Sequence, residues 1–382
     1  MKKSLSIMFA LLLLFLLPAC GGEEEEDDWG NDGDGGNNEG NGGWESQEDK
    51  PGKVLKTRGF LGITALALGQ DDRLYVGGVT RGDLYSDDSG TADALLVAFD
   101  AKGSELWGKQ WDVYESYDDV KHIITDKDGY IYISGGTHVT FVMKFAPDGT
   151  KIWEQFPEFD LISSLVLDSQ QNVYICRNNE IVKYSSDGKK LQSYKFLDES
   201  TSDPAKSTNI NVLAVDSEGN LYAGAYTYLD LFADNTGKTD AVLVKFAPDG
   251  TRLWGKQWGT EGEDYVRSIL FDNYNNILVV LGLNTTSNNA ENRTTLNLKL
   301  SPNGDKILET DHSCKIAAIC NDGNIYCVIG KKITKYNSNW EYLSSLPEYE
   351  YKYVDNVTCD SGNNVYAKNN QSIIKFSPSD FK

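Results

Sequence analysis

Two stretches of the 382-residue chain concentrate oxygen-bearing side chains: Asp83, Asp87, Asp88 and Asp93, and again Asp230, Asp234, Asn235 and Asp240. Each is a loop that contains glycine, and Ca²⁺ takes six to eight such oxygens. The spacing matches neither an EF-hand nor a glycine-rich nonapeptide, so an extended hairpin is the plainer reading and calcium the minor one. A further five aspartates, Asp126, Asp168, Asp216, Asp272 and Asp360, recur at one place in a repeated motif. They suggest a metal ring at first sight. Asp at a turn start accepts backbone N–H groups, however, and a repeat would produce a ring of such caps anyway. Three histidines are present, His122, His138 and His312. His122 stands beside a strand able to face a central channel, where a catalytic or metal role is conceivable, but a surface or turn histidine is the commoner case. No H-E-x-x-H, G-x-S-x-G or phosphate-loop pattern occurs.

The elements that carry these residues are set by internal repetition. The stretch Asp83 to Trp111 aligns without a gap to Asp230 to Trp258, at an offset of 147 residues, and both end in LWGKQW. Between and beyond them lies a weaker motif: alternating apolar residues, Asp, a polar turn with Gly or Asn, then apolar-Tyr. It ends at Tyr75, Tyr132, Tyr174, Tyr222, Leu278, Tyr326 and Tyr366. That is hairpin patterning, seven times over. A third strand follows each hairpin, ending at Phe99, Phe145, Tyr184, Phe246, Leu300, Tyr336 and Phe376, six of them with Lys immediately before. A fourth begins G-x-x-L/I, as at Gly103 to Leu106 or Gly250 to Leu253, and is degenerate around Trp340 to Leu346.

The seventh unit lacks its fourth strand, because the chain stops at Lys382. Gly52-Lys53-Val54-Leu55 carries the same signature and has no unit of its own. Seven four-stranded sheets of about 47 residues each must cover two apolar faces, and closing them into a ring covers both without caps. The expected fold is therefore all-β: a seven-bladed β-propeller over residues 53–382, closed by the N-terminal strand around Lys53 to Thr57 completing the C-terminal blade. The repeated hexamer then marks the outermost strands of blades 1 and 4. Its Trp107, Trp111, Trp254 and Trp258 either form an exposed aromatic shelf or, as we prefer, fill the gap between adjacent blades. Lys109 and Lys256 share the alternation.

The ends of the chain read differently. Lys2 and Lys3 precede an apolar run from Leu5 to Leu17, and Leu17-Pro18-Ala19-Cys20 follows. This resembles a bacterial lipoprotein signal with its lipobox. The resemblance implies cleavage after residue 19, acylation of Cys20 and anchoring of the mature chain in a membrane. No Asp follows Cys20, so the sorting rule of such lipoproteins implies the outer membrane; periplasmic and surface faces stay open. Residues 20–52 are acidic and rich in Gly and Asn, with two isolated tryptophans, and read as a disordered tether. A flexible chain of that length spans about 31 Å root-mean-square.

The formal net charge is -21. Roughly half of it lies in the tether, and the remaining domain is still acidic. That argues against nucleic acid as a partner. Five cysteines follow Cys20: Cys176, Cys314, Cys320, Cys327 and Cys359. With no C-x-x-C, zinc is disfavoured, and in an oxidising compartment one or two disulfides are expected among the last four, with at least one thiol left over.

The run DAVLVKFAPDGTRLWGKQWGTEGEDYVRSILFD, which starts at Asp240, resembles the bacterial SBBP (seven-bladed β-propeller) repeat, with its Asp-Ala start, apolar-Lys-Phe strand, Pro-Asp-Gly turn and Leu-Trp and Gln-Trp-Gly elements. Blade 4 fits well and blade 1 nearly so; the other blades keep the turns and lose most tryptophans. The resemblance implies an extracytoplasmic propeller without assigned activity. Three functions are compatible. The first is a non-enzymatic lipoprotein that binds a protein or a surface polymer such as carbohydrate through its long loops, Asp83 to Asp93, Asp230 to Asp240 and Asn284 to Asn292. The second is an outer-membrane assembly factor similar to the quinoprotein-like propellers. The third is a metal-dependent hydrolase or lyase using the channel. The first needs no cofactor and no catalytic constellation.

Overall fold

The computed structural model describes residues 43–46, 52–55, 57, 59–69, 71–86, 92–113, 117–158, 161–196, 207–284, 293–312, 314–346 and 354–381. Cys20, the signal and residues 20–42 of the expected tether lie outside the described residues, as do Asp87, Asp88 and most of the Asn284 to Asn292 loop.

Antiparallel strands form seven sheets, six of them four-stranded. Blade 1 comprises Gly62–Leu68, Leu74–Thr80, Asp93–Phe99 and Glu105–Trp111. Blade 4 repeats it with Thr208–Val215, Leu221–Thr227, Asp240–Phe246 and Arg252–Trp258. In every blade the first strand touches the first strand of the next, and that of blade 7, Asn356–Cys359, touches that of blade 1, so the ring is closed. Second and third strands are buried on both faces: Leu74–Thr80 and Asp93–Phe99 have no accessible position. Alternation splits each blade into two apolar faces. In blade 1, Leu66, Leu74, Val76, Leu95, Val97 and Phe99 look back to blade 7, while Ala65, Tyr75, Leu96 and Ala98 look forward to Val120, Ile123 and Ile133 of blade 2.

Lys53–Leu55 pairs with the last strand, Ile373–Phe376, and completes blade 7. The register is not the one its G-x-x-L signature suggests. Lys53 lies opposite Lys375, the position Trp107 takes opposite Ala98 in blade 1. The signature glycine serves a tight turn between third and fourth strands, and the borrowed strand has no such turn. Further bonds seal the joint: Lys368 Nζ donates to the Ile63 carbonyl at 3.0 Å, Ile63 N–H to the Asn370 carbonyl at 2.7 Å, and Ser361 N–H and Oγ to Asp72 at 2.8 and 2.6 Å.

The expected tether is corrected at its C-terminal end. Trp44–Ser46 is a fifth strand, paired outside Lys53–Leu55. The Trp44 ring meets Tyr366 edge-on at 5.5 Å between centroids, with Lys375 Nζ 5.9 Å from it. Burial of an indole against an otherwise open sheet edge outweighs the disordering composition around it.

Candidate functional site

Blades 2 to 7 share one arrangement of the repeated polar residues, with Leu278 in place of the tyrosine in blade 5; blade 1 has Gly69 and Ala98 at the Asp and Lys positions. In blade 4, Asp216 Oδ1 accepts the backbone N–H groups of Glu218 (3.0 Å) and Asn220 (2.9 Å), as a turn cap should. Its other oxygen accepts from Asn220 Nδ2 (2.8 Å) and the Tyr222 hydroxyl (3.1 Å), and lies 3.6 Å from Lys245 Nζ. The motif Asp, its Tyr six residues on and the third-strand Lys thus meet. The equivalent pairs Asp168–Lys183, Asp272–Lys299, Asp322–Lys335 and Asp360–Lys375 lie at 3.0 to 3.3 Å. The carboxylates are spent on these partners, so they form no metal ring. For Asp272 and Asp360, burial works to raise the pKa, but hydrogen bonds from Asn276 and Lys299, and from Asn364 and Lys375, hold both below the usual range. Burial, with the neighbouring aspartate second, pushes the Tyr132, Tyr222 and Tyr366 phenols far up, so these stay protonated donors.

The Lys also reaches across the seam. Lys245 Nζ donates to the Pro302 carbonyl in the outer turn of blade 5 at 3.2 Å, and Trp254 Nε1 donates to the same oxygen at 3.2 Å. Lys144 and Trp153 grip Ser186 in the same way, and Lys299 grips Ser338. Blade 1 has Ala98 where the others have Lys. There Arg73 Nη1 reaches the Pro147 carbonyl (3.3 Å) beside Trp107 Nε1 (3.0 Å). The tryptophans therefore fill the seams rather than form a shelf. Trp107, Trp153 and Trp254 sit beside their own blade's tyrosine and over the outer-turn glycine of the next, Gly149, Gly188 and Gly304, while Trp111 packs on Phe141 and Phe145 of blade 2 and Trp258 joins the cluster between blades 4 and 5.

The degenerate units keep this plan with residues from elsewhere. Blade 7 takes its indole from Trp44, which lies over Gly103. Blade 6 takes an aromatic from Phe381, 5.1 Å from Tyr326. Blade 5 carries Leu308 at the tryptophan position, and the missing ring comes from the other side of the seam. Trp340 occupies the outer-turn position of blade 6 that is glycine in blades 1 to 5, with a left-handed φ of 60°. That conformation is costly for a bulky residue, and here an indole's burial offsets it.

The two acidic stretches connect second to third strands, as do residues 284–292, so the strand ends that flank all three lie at one rim. Asp93 and Asp240 are buried at their base, not presented as ligands. Gln110 Nε2 donates to Asp93 at 2.9 Å, and its Oε1 accepts the backbone N–H groups of Leu84 (3.0 Å) and Tyr85 (3.3 Å). Gln257 does the same for Asp240, Leu231 and Phe232. Gly108 and Gly255 make room for the Tyr85 and Phe232 rings, which a β-carbon would strike. The hexamer is thus a clamp that folds each loop back across its outer strand. These glutamines and glycines were not singled out by their chemistry; their signal was identity at the 147-residue offset. Of the other candidates, Asp230 accepts the Asn235 N–H at 2.7 Å, Asn235 Nδ2 donates to the Thr227 carbonyl at 3.2 Å, Asp234 is exposed, and Asp83 is an exposed loop residue. Among the described residues no group of three or more His, Cys, Asp or Glu side chains is placed to hold a metal.

His122 is neither a surface nor a turn residue. It lies on the first strand of blade 2, Val120–Thr125, with Nδ1 3.0 Å from Ser134 Oγ, and burial lowers its pKa to about 4. His138 is exposed beside Thr137. His312 stacks on Tyr336 at 4.9 Å and contacts the Trp340 carbonyl through Nε2 at 3.0 Å. The structure does not bring the three together: His122 is on the first strand of blade 2, His138 in that blade's second-to-third-strand connection and His312 in the link from blade 5 to blade 6. The four late cysteines form two disulfides, Cys314–Cys327 within blade 6 and Cys320–Cys359 between blades 6 and 7, and Cys176 is a buried free thiol. Cys320 takes the turn position held by aspartate in blades 2 to 5 and 7, and Asp322 supplies the carboxylate instead.

No family model matches the chain, and no curated protein sequence matches it. Solved structures are similar in fold. A catalytically inactive virginiamycin B lyase from Staphylococcus aureus with quinupristin aligns at a TM-score of 0.56 and 10% identity, covering 84% of this chain and 97% of that one. The Pan2 WD40 domain of Neurospora crassa aligns at 0.56 and 14%, covering 83% and 89%. A chain of the mitotic checkpoint complex aligns at 0.60 and 12%, covering 87% and 95%. At such identities the likeness is one of fold: this chain is a seven-bladed β-propeller, and the comparisons carry no site residue to it.

Proposed function

We propose that the protein is a lipid-anchored, extracytoplasmic propeller of the SBBP-repeat type that binds another protein through the rim bearing its long second-to-third-strand loops. The observation that carries this reading is the pair of Asp–Gln clamps. They pin Leu84 and Tyr85, and Leu231 and Phe232, in matching positions three blades apart on a ring locked at its seams. Preorganised loops on a rigid stack lose less freedom on binding. The motif aspartates serve as turn caps and ion-pair partners, and Asp93 and Asp240 as clamps. The mitotic checkpoint complex, one chain of which shares this fold, is an assembly of the kind such a binding role implies, and the two disulfides suit export to an oxidising compartment. The lipobox-like Leu17 to Cys20 supplies the anchor, with the outer membrane its destination.

The test is cross-linking in intact cells with the tether kept, comparing the native protein with the Gln110→Ala, Gln257→Ala double variant. We expect the variant to stay folded by circular dichroism and to lose the cross-linked partner. Equal capture by both proteins would remove the loops from the interface. Metabolic labelling with palmitate that persists in Cys20→Ser would remove the anchor.

A further inference from the structure

One seam differs from the other six. Counting back three residues from the end of each third strand gives the same inward position in every blade, fixed by its pairing with the second strand. It is Leu96, Val142, Ile181, Leu243, Ile333 or Ile373 in six blades, and Asn297 in blade 5. Asn297 is fully buried, and neither its Nδ2 nor its Oδ1 has a hydrogen-bond partner among the protein groups. Two more unpartnered oxygens share its face of the sheet: Thr310 Oγ1 on the residue directly opposite in the fourth strand, and Thr295 Oγ1 two positions earlier. The Trp340 Nε1 of blade 6, in the same apolar cluster as Leu278, Val280 and Leu308 of blade 5, is a fourth unpartnered polar atom.

Blade 6 offers this face less volume than its counterparts do elsewhere. Its first-strand contact residue is Ala317, where the equivalent positions hold Leu66, Ile123, Leu165, Leu213, Ile269 and Val357. A smaller residue on one side thus faces a polar one whose hydrogen-bonding capacity is unmet. A buried amide without partners is costly, and native interiors meet that demand with ordered water when protein groups do not. All of the groups are uncharged, and donors and acceptors are mixed, which suits water rather than an ion.

We propose that the seam between blades 5 and 6 is a hydration site, in which ordered water is bound by Asn297 and by the hydroxyls of Thr295 and Thr310. The test uses the whole protein. Oxygen-17 relaxation dispersion counts long-lived internal waters, and the count should fall by at least one in Asn297→Leu, which restores the residue of blades 1 and 4. Thr310→Val is the second variant and should lower it as well. A high-resolution crystal structure of the native protein should show density within about 3 Å of the Asn297 amide. An unchanged water count in both variants, or an Asn297 amide bonded directly to protein groups in the crystal, would overturn the assignment.

Discussion

The seam lock of blade 4 allows a quantitative test. Asp216 and Lys245 are both buried, at 5% and 6% exposure, and Lys245 also donates to the Pro302 carbonyl and lies 5.1 Å from the centre of the Tyr222 ring. Asp216→Asn preserves shape and the cap on Glu218 and Asn220, but leaves the ammonium without its counter-charge and turns an amide N–H₂ toward the donors that now meet a carboxylate. Removing one partner of a buried pair costs about 3–5 kcal/mol; with the cap retained, we expect about 3. Lys245→Met removes the cation and one seam bond, while Asp216 keeps four hydrogen bonds from Glu218, Asn220 and Tyr222. We expect a loss of about 2 kcal/mol. In the double variant no charge is stranded, so the loss should be about 3 kcal/mol and the coupling about 2. Urea denaturation followed by tryptophan fluorescence is the assay, since Trp254 shares the Pro302 oxygen and reports on this seam. Losses that add to within about 0.5 kcal/mol would show that the carboxylate and ammonium do not act together, and the seam-lock account would fail.

Gly255→Ala should free the 228–239 loop by expelling the Phe232 ring, costing about 1–3 kcal/mol and raising proteolysis there, with mass spectrometry locating the cut. His122 and Asp118 should act oppositely on pH dependence. The folded-state pKa of His122 lies at about 4 against 6.5, so the unfolded chain binds more protons between them; its contribution, at most about 3 kcal/mol, is complete above pH 6.5 and lost as pH falls toward 4, and His122→Gln should flatten that slope in thermal melts. Burial raises Asp118 from 3.8 to about 6, so here the folded chain binds more protons and stability declines as pH rises through that range; Asp118→Asn should melt higher than the native protein at pH 7 and nearer to it at pH 4. Reduction should cost more through Cys320–Cys359, which closes 39 residues, than through Cys314–Cys327, which closes 13: chain entropy gives about 4 and about 3 kcal/mol, so Cys320→Ala should lower the urea midpoint further than Cys314→Ala. Truncation before Gly52 should remove Trp44 and lower the melting temperature without opening the ring, and truncation beyond Leu55 should leave blade 7 three-stranded and the protein prone to aggregate, which light scattering would show.

The repeat was enough to define the ring. Seven turn hairpins of one pattern, seven third strands and a missing final strand matched by Val54 and Leu55 leave few arrangements in which every sheet covers both faces. That information is local and periodic, because each blade meets its neighbours through the same positions, so alternation along one strand predicts contacts across every seam. What the periodicity does not carry are the substitutions made once. Trp44, placed by its neighbours' composition in a tether, serves blade 7 because Tyr366 and Gly103, far apart in sequence, leave a slot for an indole. Trp340 takes a glycine's backbone conformation because Leu308 in the adjacent blade lacks a ring. Arg73 stands in for a lysine absent from its third strand, and Cys320 replaces a turn aspartate whose charge moves to Asp322. The long acidic loops looked like ligand sets by composition, and only the folded chain shows that Asp93 and Asp240 point down to Gln110 and Gln257. A side chain's role depends on which partners close around it, and those partners come from other blades, where no sequence window reaches.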